Sequence, residues 1–428
     1  MSEINPKFFE KILFFFFGIT PLFLVTVRSW TNVVLILGAI SSLFFLIKLW
    51  MHKSKNENSQ GSFEKLMLIV LIAPIFSVTI GSMLRGKTVA SDYDSASRFF
   101  IAVAIFLYAL RKRYNFANFL QYSAPASLII TFLHQILFPQ PYLWGADRMA
   151  TYFADPLVFG YTSLTLGLIS LTSIHLLKKD TKPVVAFKLF GAMIGLYLST
   201  MSGSRTGWLA FPVIVALLLY LKIKANGKNI RLLLVSITIA MTIVIGLFIT
   251  SKTISDRIHI AVQEISNYSW IGIAPETSVG MRITFLRIAT DLLVTHPLMG
   301  YGDIKLSGAT LPSHIYTYAS PPSVAMALNS GFHNEMVTNA IRNGVVALLA
   351  AFMLFAAPLY IFIKKQRSSC LIQRGNASLG LVFTLCIFIS SLSTEVFDLK
   401  YTASFYALMI SLLVASTLAT HQSLQSKE

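Results

Sequence analysis

The sequence predicts an all-α integral membrane protein with about twelve transmembrane helices. Hydrophobic residues make up 55% of its 428 residues, and charged residues make up only 12%. A soluble protein carries about 25% charged residues, so this composition cannot cover a solvated surface. Apolar runs of about 18 or more residues, long enough to cross a bilayer, also recur along the whole chain.

The predicted spans follow one another with mostly short connections. They lie near residues 10–27, 32–50, 64–84, 97–110, 115–138, 155–177, 184–201, 206–222, 231–250, 335–363, 376–394 and 401–419. One connection is long, and it divides the chain into three predicted parts. Residues 1–250 hold spans one to nine, residues 251–332 form a loop domain, and residues 333–428 hold spans ten to twelve.

The positive charges predict the orientation of these spans. The net charge is +17, with 35 Lys and Arg residues. Roughly 22 of them lie in the termini and the even-numbered connections, against roughly 12 in the odd-numbered connections. The positive-inside rule then places both termini in the cytoplasm and the loop domain on the periplasmic side. Because topology explains most of the charge, nucleic acid is not expected as a partner.

The loop domain is predicted to be partly helical. "SDRIHIAVQEISNY" has the helical spacing of Ile258, Val262 and Ile265. A second helix is predicted in "TSVGMRITFLRIATDLLVTHPLMGYGD", capped by Thr277 or Ser278 and ended by Pro297 and Gly300. The expected apolar face of this helix consists of Phe285, Ile288, Ala289, Leu292 and Leu293. The rest of the domain, rich in Gly, Ser and Pro, indicates an ordered or gated loop.

Two arginines on the predicted outer side are candidate anion ligands. Arg205 follows a Gly-Ser turn in "STMSGSRTGWLAF", among small hydroxyl residues that leave open space. It either binds an oxyanion or extends to the membrane interface. Arg282 lies in the first turn of the second loop helix, where free N–H groups already favour anions. The alternative is an ordinary solvated charge.

His333 is the candidate general base. It lies in "GFHNEMVTNAIRNG", where the loop domain meets the tenth span, beside Asn334 and Glu335. Its unperturbed pKa suits proton transfer near neutral pH, although a lone histidine is more often structural. Arg342 lies inside the same span and needs a partner. Glu335 is expected to pair with it, and Glu395 and Asp398 are other candidates.

Arg98, at the outer end of the fourth span, is a weaker third candidate cation. Its expected structural partners are Asp92, Tyr93 and Asp94, which come just before it in the sequence.

Three motifs resemble the O-antigen ligase and polymerase superfamily. They are "SGSRTGWLAF", "GMRITFLRIATDLLVTHPLMGYGD" and "FHNEMVTNAIRNGVVALLAAFML", in that order, within roughly residues 195–365. The HNE form and the length of the chain look most like lipid A-core:surface polymer ligases. The resemblance implies a GT-C-like fold in the bacterial inner membrane, with the site facing the periplasm.

The resemblance also implies a reaction and roles for residues. A glycan would pass from undecaprenyl diphosphate to a sugar hydroxyl of lipid A-core, with no metal ion or cofactor. Arg205 and Arg282 would bind the diphosphate, and His333 would activate the hydroxyl. Asn334 and Glu335 would support the site, and Glu395 lies near an acidic position of the relatives. Membrane lipids would surround the spans and the lipid tail of the donor.

The chemistry is consistent with these residue types. A glycosyl diphosphate leaves as a stable anion, so two arginines can neutralise it, and one base serves the acceptor. An O-antigen polymerase would use the same donor chemistry and stays open as an alternative. A protein O-oligosaccharyltransferase is a third, less favoured alternative, because those relatives usually carry further C-terminal elements. A polysaccharide transporter would place charges near the middle of several spans, whereas here they gather at one membrane face.

Overall fold

The computed structural model describes residues 6–51, 61–145, 148–204, 210–225, 252–303 and 311–419. Over these ranges all regular elements are helices. Seven are long and apolar enough to cross a membrane: Trp30–Met51, Ser62–Arg85, Ala90–Arg111, Lys182–Met201, Glu335–Lys365, Leu371–Ser391 and Lys400–Leu418. The prediction of an all-α membrane protein is confirmed. The predicted ninth span, 231–250, lies outside the described residues, and the count of twelve stays a prediction.

The described α-helices are numbered here in chain order. They are α1 (Pro6–Ile19), α2 (Trp30–Met51), α3 (Ser62–Arg85), α4 (Tyr93–Arg111), α5 (Ala117–Leu137), α6 (Pro141–Trp144), α7 (Pro156–Thr172), α8 (Lys182–Met201), α9 (Ala210–Ala225), α10 (Lys252–Ser266), α11 (Ser278–Thr295), α12 (Pro321–Ser330), α13 (Glu335–Lys365), α14 (Leu371–Ser391) and α15 (Lys400–Leu418). Short 3₁₀ turns cover Thr20–Phe23, Ala90–Asp92 and Ser313–Thr317.

Helix α15 forms the centre of the bundle. Its sequence, "KYTASFYALMISLLVASTL", has apolar residues on all sides, as a fully enclosed helix requires. It packs against α2, α4 and α14, while α13 packs against α3 and α14. By contrast, α2 and α3 expose large apolar side chains outward, including Phe44, Ile69 and Phe76. These outward faces suit contact with lipid.

Helices α10, α11 and α12 belong to the segment between α9 and α13. Thr277 caps α11, because its hydroxyl accepts a hydrogen bond from Gly280 N at 3.1 Å. Four residues of the predicted apolar face of α11 are buried: Phe285, Ile288, Ala289 and Leu292. They form a small core with Tyr301, Ile315, Tyr318, Val324, Phe332 and Ile341. The helix ends at Thr295, as the following Pro297 and Gly300 predict.

Helix α13 is broken at Asn343 and Gly344, and a turn of residues 296–303 fills the break. Gly344 has a φ of +75°, and a side chain on it would overlap the carbonyl of Leu298. Val345 N donates to Pro297 O at 2.8 Å. Ile341 O and Arg342 O accept from Tyr301 N at 2.8 Å and Gly302 N at 2.7 Å. The turn therefore satisfies backbone groups that the break leaves without helical partners.

Arg85, the last residue of α3, ties this arrangement to the bundle. Its guanidinium donates to Arg342 O at 2.8 Å and to Asn343 Oδ1 at 3.1 Å. It also donates to Met299 O and forms an ion pair with Asp92 at 3.1 Å. One side chain thus joins α3, the turn and the break in α13. This joint fixes the last turn of α11 against the first half of α13.

Candidate active site

His333 lies between the loop segment and the start of α13 in an unusual backbone conformation. Its φ is +50°, in the left-handed region that costs a side-chain-bearing residue roughly 1–2 kcal/mol. The ring packs beside Phe285 of α11, with the ring centres 5.6 Å apart. Nδ1 is buried, makes no hydrogen bond with any described residue, and lies 3.7 Å from Glu395 Oε2. This gap exceeds hydrogen-bond length but is short enough to close when the ring takes up a proton.

Glu395 is held firmly in front of the histidine. Its Oε1 accepts a hydrogen bond from the hydroxyl of Thr338 at 2.8 Å. The same hydroxyl accepts from Phe332 N at 3.2 Å, one residue before His333. Gly331 packs so closely on Glu395 that a side chain at this position would overlap the carboxylate. The carboxylate is therefore placed by the segment that carries the histidine.

Asn334 and Glu335 act on the backbone around His333. Asn334 caps α13, since its side-chain oxygen accepts from Met336 N at 3.0 Å and Val337 N at 3.2 Å. Glu335 is buried, and its carboxylate accepts from Phe397 N at 2.9 Å and from Asn339 Nδ2 at 2.6 Å. Both residues hold the start of α13 against the 392–397 segment. Their geometry fits the expected supporting role.

Opposing charges act on the His333 ring. Burial lowers its pKa below the ordinary value, Glu395 and Asp155 raise it, and Arg282 lowers it. Arg282 is exposed near the start of α11. The structure therefore brings Arg282 within electrostatic range of His333. The net lowering keeps the imidazole neutral near pH 7, which is the form that can accept a proton.

Arg205 lies outside the described residues, but the turn before it is described. Ser202 and Ser204 are buried and pack against Gly160 of α7, leaving no room for a side chain there. Helix α7 is capped by Asp155, whose carboxylate also acts on the His333 pKa. The 202–204 turn and His333 therefore lie at the same end of the bundle. The convergence of Arg205 with Arg282 stays a prediction.

The structure corrects the expected partner of Arg342. Its guanidinium forms an ion pair with Asp398 at 2.7 Å, whereas the Glu335 carboxylate is directed to Phe397 N and Asn339. Seven residues along a helix correspond to about 10.5 Å, which favours a partner from another segment. Of the two other candidate partners of Arg342, Glu395 and Asp398, the structure therefore selects Asp398.

Two of the three expected partners of Arg98 pair with other cations. Asp92 pairs with Arg85 at 3.1 Å, and Asp94 pairs with Lys400 at 2.8 Å. The Nε of Arg98 is buried and makes no hydrogen bond with the residues that the structure describes. Closeness in sequence did not identify these pairs because the cations come from α3 and α15.

A cavity of about 230 Å³ opens beside Glu335 and Glu395. Its polar lining also includes Asn339, Asp398 and Lys400, and its apolar lining comes mainly from α3, α4 and α13. Carboxylates outnumber cations in this lining, which disfavours an anionic group. Within the described ranges, His, Cys, Asp and Glu residues form no group of three or more that could hold a metal ion.

Two contributors to the site were missed from the sequence. Asp155 precedes Pro156, which is a usual start signal for a helix, and nothing in that signal indicates an effect on His333. Arg148 lies along the 202–204 turn, 3.5 Å from where a Cβ of Gly203 would be. Met149 N donates to Met201 O at 2.8 Å and fixes this approach. The 148–155 segment thus connects the turn before Arg205 with the surroundings of His333.

The chain matches one family model and is similar to two known proteins, described next. Residues 190–353 match the family model described as O-Antigen ligase. An uncharacterized protein of Haemophilus influenzae is 24% identical over 398 residues, covering 89% of this chain and 92% of that protein. An O-antigen ligase of Escherichia coli is 25% identical over 240 residues, covering 55% of this chain and 54% of that protein.

The apolar helices and these matches support a multi-pass bacterial membrane protein, and the family match suggests an enzyme of the glycosyltransferase type. More narrowly, they support an O-antigen ligase-like superfamily member, which confirms the resemblance seen in the sequence. The matched stretch contains Arg205, Arg282 and His333 but excludes Glu395 and Arg98. Arg85 and Asp155 also lie outside it.

Proposed function

We propose that this protein is a lipid A-core:surface polymer ligase. It transfers a glycan from undecaprenyl diphosphate to a sugar hydroxyl of lipid A-core at the periplasmic face of the inner membrane. The observation that carries the proposal is the arrangement of His333, Glu395 and Arg282. The half-buried, neutral imidazole faces the fixed carboxylate of Glu395, and Arg282 at the start of α11 lies within electrostatic range of it.

The proposed reaction is a single inverting displacement. His333 takes the proton of the acceptor hydroxyl while its oxygen attacks the anomeric carbon of the donor. The bond between that carbon and the diphosphate oxygen breaks, and undecaprenyl diphosphate leaves with the electron pair. General-base assistance of this kind contributes about 10²–10⁴-fold in rate. No pair of catalytic carboxylates is needed, because the leaving group requires no protonation.

Glu395 stabilises the imidazolium that forms. Its Oε2 faces Nδ1, so the ring accepts the proton at Nε2 while its charge develops beside the carboxylate. Thr338 keeps the carboxylate oriented through Oε1. Arg282 stabilises the negative charge that grows on the diphosphate, and Arg205 is proposed as its second cation.

The experiment is complementation of a ligase-deficient strain, with lipopolysaccharide analysed on gels. The wild-type chain should restore polymer attached to core, and His333→Ala should leave bare core while lipid-linked polymer accumulates. His175→Ala, at a residue with a similar φ of +55° in the connection between α7 and α8, is the matched control and should still ligate. Core carrying one repeat unit in the deletion strain would instead indicate a polymerase.

Reconstitution tests the substrates directly. Purified protein, undecaprenyl-diphosphate-linked glycan and lipid A-core should give ligated product in the presence of a chelator. Normal product formation by His333→Ala, with its insertion verified, would contradict the assigned base. Product formation only on a second lipid-linked glycan, and not on lipid A-core, would contradict the ligase assignment and favour the polymerase.

A further inference from the structure

The loop segment exposes an unusual set of apolar side chains. They occupy α10 and the turn after it, each more than half exposed: Val262 at 56%, Ile265 at 56%, Trp270 at 67%, Ile271 at 91% and Ile273 at 61%. Solvated domains rarely expose large apolar side chains this close together. The set, called here the α10 apolar patch, therefore requires an occupant.

The patch does not face the core of its own segment. Glu264 of α10 accepts a hydrogen bond from Val279 N at 2.9 Å, which turns that side of the helix toward α11. Tyr268 is buried and its hydroxyl lies 3.1 Å from the hydroxyl of Thr284 of α11. Val262 and Ile265 of the same helix are exposed. Trp270 contacts Tyr268 and Arg287 with part of its ring but remains 67% exposed, and the nearby Ile271 and Ile273 are also exposed.

We propose that the α10 apolar patch lies in the surface of the lipid bilayer. Helix α10 begins at Lys252, two residues after the apolar run 231–250 that the sequence predicts to be a span. On that prediction the chain leaves the membrane where the helix starts, so the apolar face of α10 meets lipid before any other partner. An amphipathic helix in this position is typical of interfacial helices, and tryptophan is enriched at the same depth.

This docking fixes the depth of the anion-binding helix start. The bond between Glu264 and Val279 N joins α10 to the first turn of α11, three residues before Arg282. With α10 in the lipid surface, Arg282 lies near the level of phosphate head groups. The docking itself does not depend on the proposed reaction. It would present Arg282 to any diphosphate carried by a membrane lipid.

Site-specific fluorescence in nanodiscs tests the proposal on the full chain. Val262→Cys and Ile271→Cys are labelled with a bimane dye in a Cys370→Ser, Cys386→Ser background, in discs of phosphatidylethanolamine and phosphatidylglycerol. Gln263→Cys, exposed on the same helix, is the matched control. Lipid-borne nitroxide should quench positions 262 and 271 several-fold more strongly than position 263, and aqueous iodide should show the reverse order.

Three outcomes would overturn the proposal. Equal quenching of all three positions by iodide would place the patch in water. Protection of positions 262 and 271 from both quenchers, rising with the number of protein copies per disc, would identify a second copy as the occupant. Tryptophan fluorescence provides a check without cysteine substitution: brominated lipid should quench the wild type more than Trp270→Phe. Equal quenching of the two proteins would likewise contradict lipid contact.

Discussion

Arg85 donates hydrogen bonds to Arg342 O at 2.8 Å and to Asn343 Oδ1 at 3.1 Å, across the break in α13. Arg342 and Asn343 both lie more than 250 positions after Arg85 in the sequence. Because the 296–303 turn at the end of α11 enters the same break, Arg85 controls how α11 lies against α13. His333 and Arg282 belong to these two elements, so their separation depends on this joint.

Replacing Arg85 by alanine is therefore expected to lower activity without removing any substrate contact. A shift of about 1 Å in a catalytic group can cost about 10²-fold in rate, and the loss should appear in kcat more than in the KM for the donor. Asp92 would also lose its buried partner, which costs about 3 kcal/mol of stability. Kinetics in nanodiscs and thermal unfolding in detergent measure the two effects.

Arg85→Lys separates the two roles of this residue. Lysine keeps a positive charge beside Asp92, but its ammonium cannot reach all the oxygens that the guanidinium joins. Stability should recover more than kcat. Arg111→Ala, at the exposed opposite end of α4, is the control and should change neither quantity. Full kcat in Arg85→Ala would show that the joint does not position the site.

The pH dependence of kcat/KM should report His333. The rate should rise with pH as the imidazole loses its proton, with the midpoint below the ordinary histidine pKa of about 6.5. Glu395→Gln removes a charge that raises the pKa of His333, so the midpoint should move to lower pH. Arg282→Gln removes a charge that lowers the pKa of His333, so the midpoint should move to higher pH.

These shifts distinguish the assigned base from other titrating groups. Glu10→Gln, at the far end of the bundle beside Lys112, should leave the midpoint unchanged. Shifts of the same sign for Glu395→Gln and Arg282→Gln would show that His333 is not the group that limits the rate. The maximal rate of Glu395→Gln should also fall, because the imidazolium loses its stabilising carboxylate.

Seven of the predicted spans and the capped α11 were predictable because lipid and helix geometry impose local patterns. Apolar runs of fixed length and Thr277 before an apolar-periodic stretch are visible without any long-range contact. The partners of His333 were harder to find, since Glu395 and Asp155 come from distant segments. In the sequence, Arg85 is an ordinary basic residue just after the third predicted span, and no pattern distinguishes it. Its role exists only when α13 breaks, and Gly344 alone does not indicate that break.

Gly344→Ala tests the break itself. Alanine at a φ of +75° is strained, and its methyl group would overlap the Leu298 carbonyl and displace the turn. Gly86 has a similar φ of +64° but open space around it, so Gly86→Ala carries the strain alone and should cost about 1 kcal/mol. Gly344→Ala should be clearly less stable than Gly86→Ala in thermal unfolding. Equal stabilities would mean that the turn does not need the close contact.

Arginine-to-lysine substitutions test the two proposed diphosphate ligands. A guanidinium holds two phosphate oxygens in parallel, which an ammonium cannot do, so Arg282→Lys and Arg205→Lys should lose nearly as much activity as the alanine variants. Arg287→Lys is the control on α11, because Arg287 lies over the rings of Trp270 and Tyr318, where lysine also binds favourably. It should keep activity within a few-fold. Full activity of both Arg282→Lys and Arg205→Lys in the ligation assay would reduce the role of these residues to charge alone.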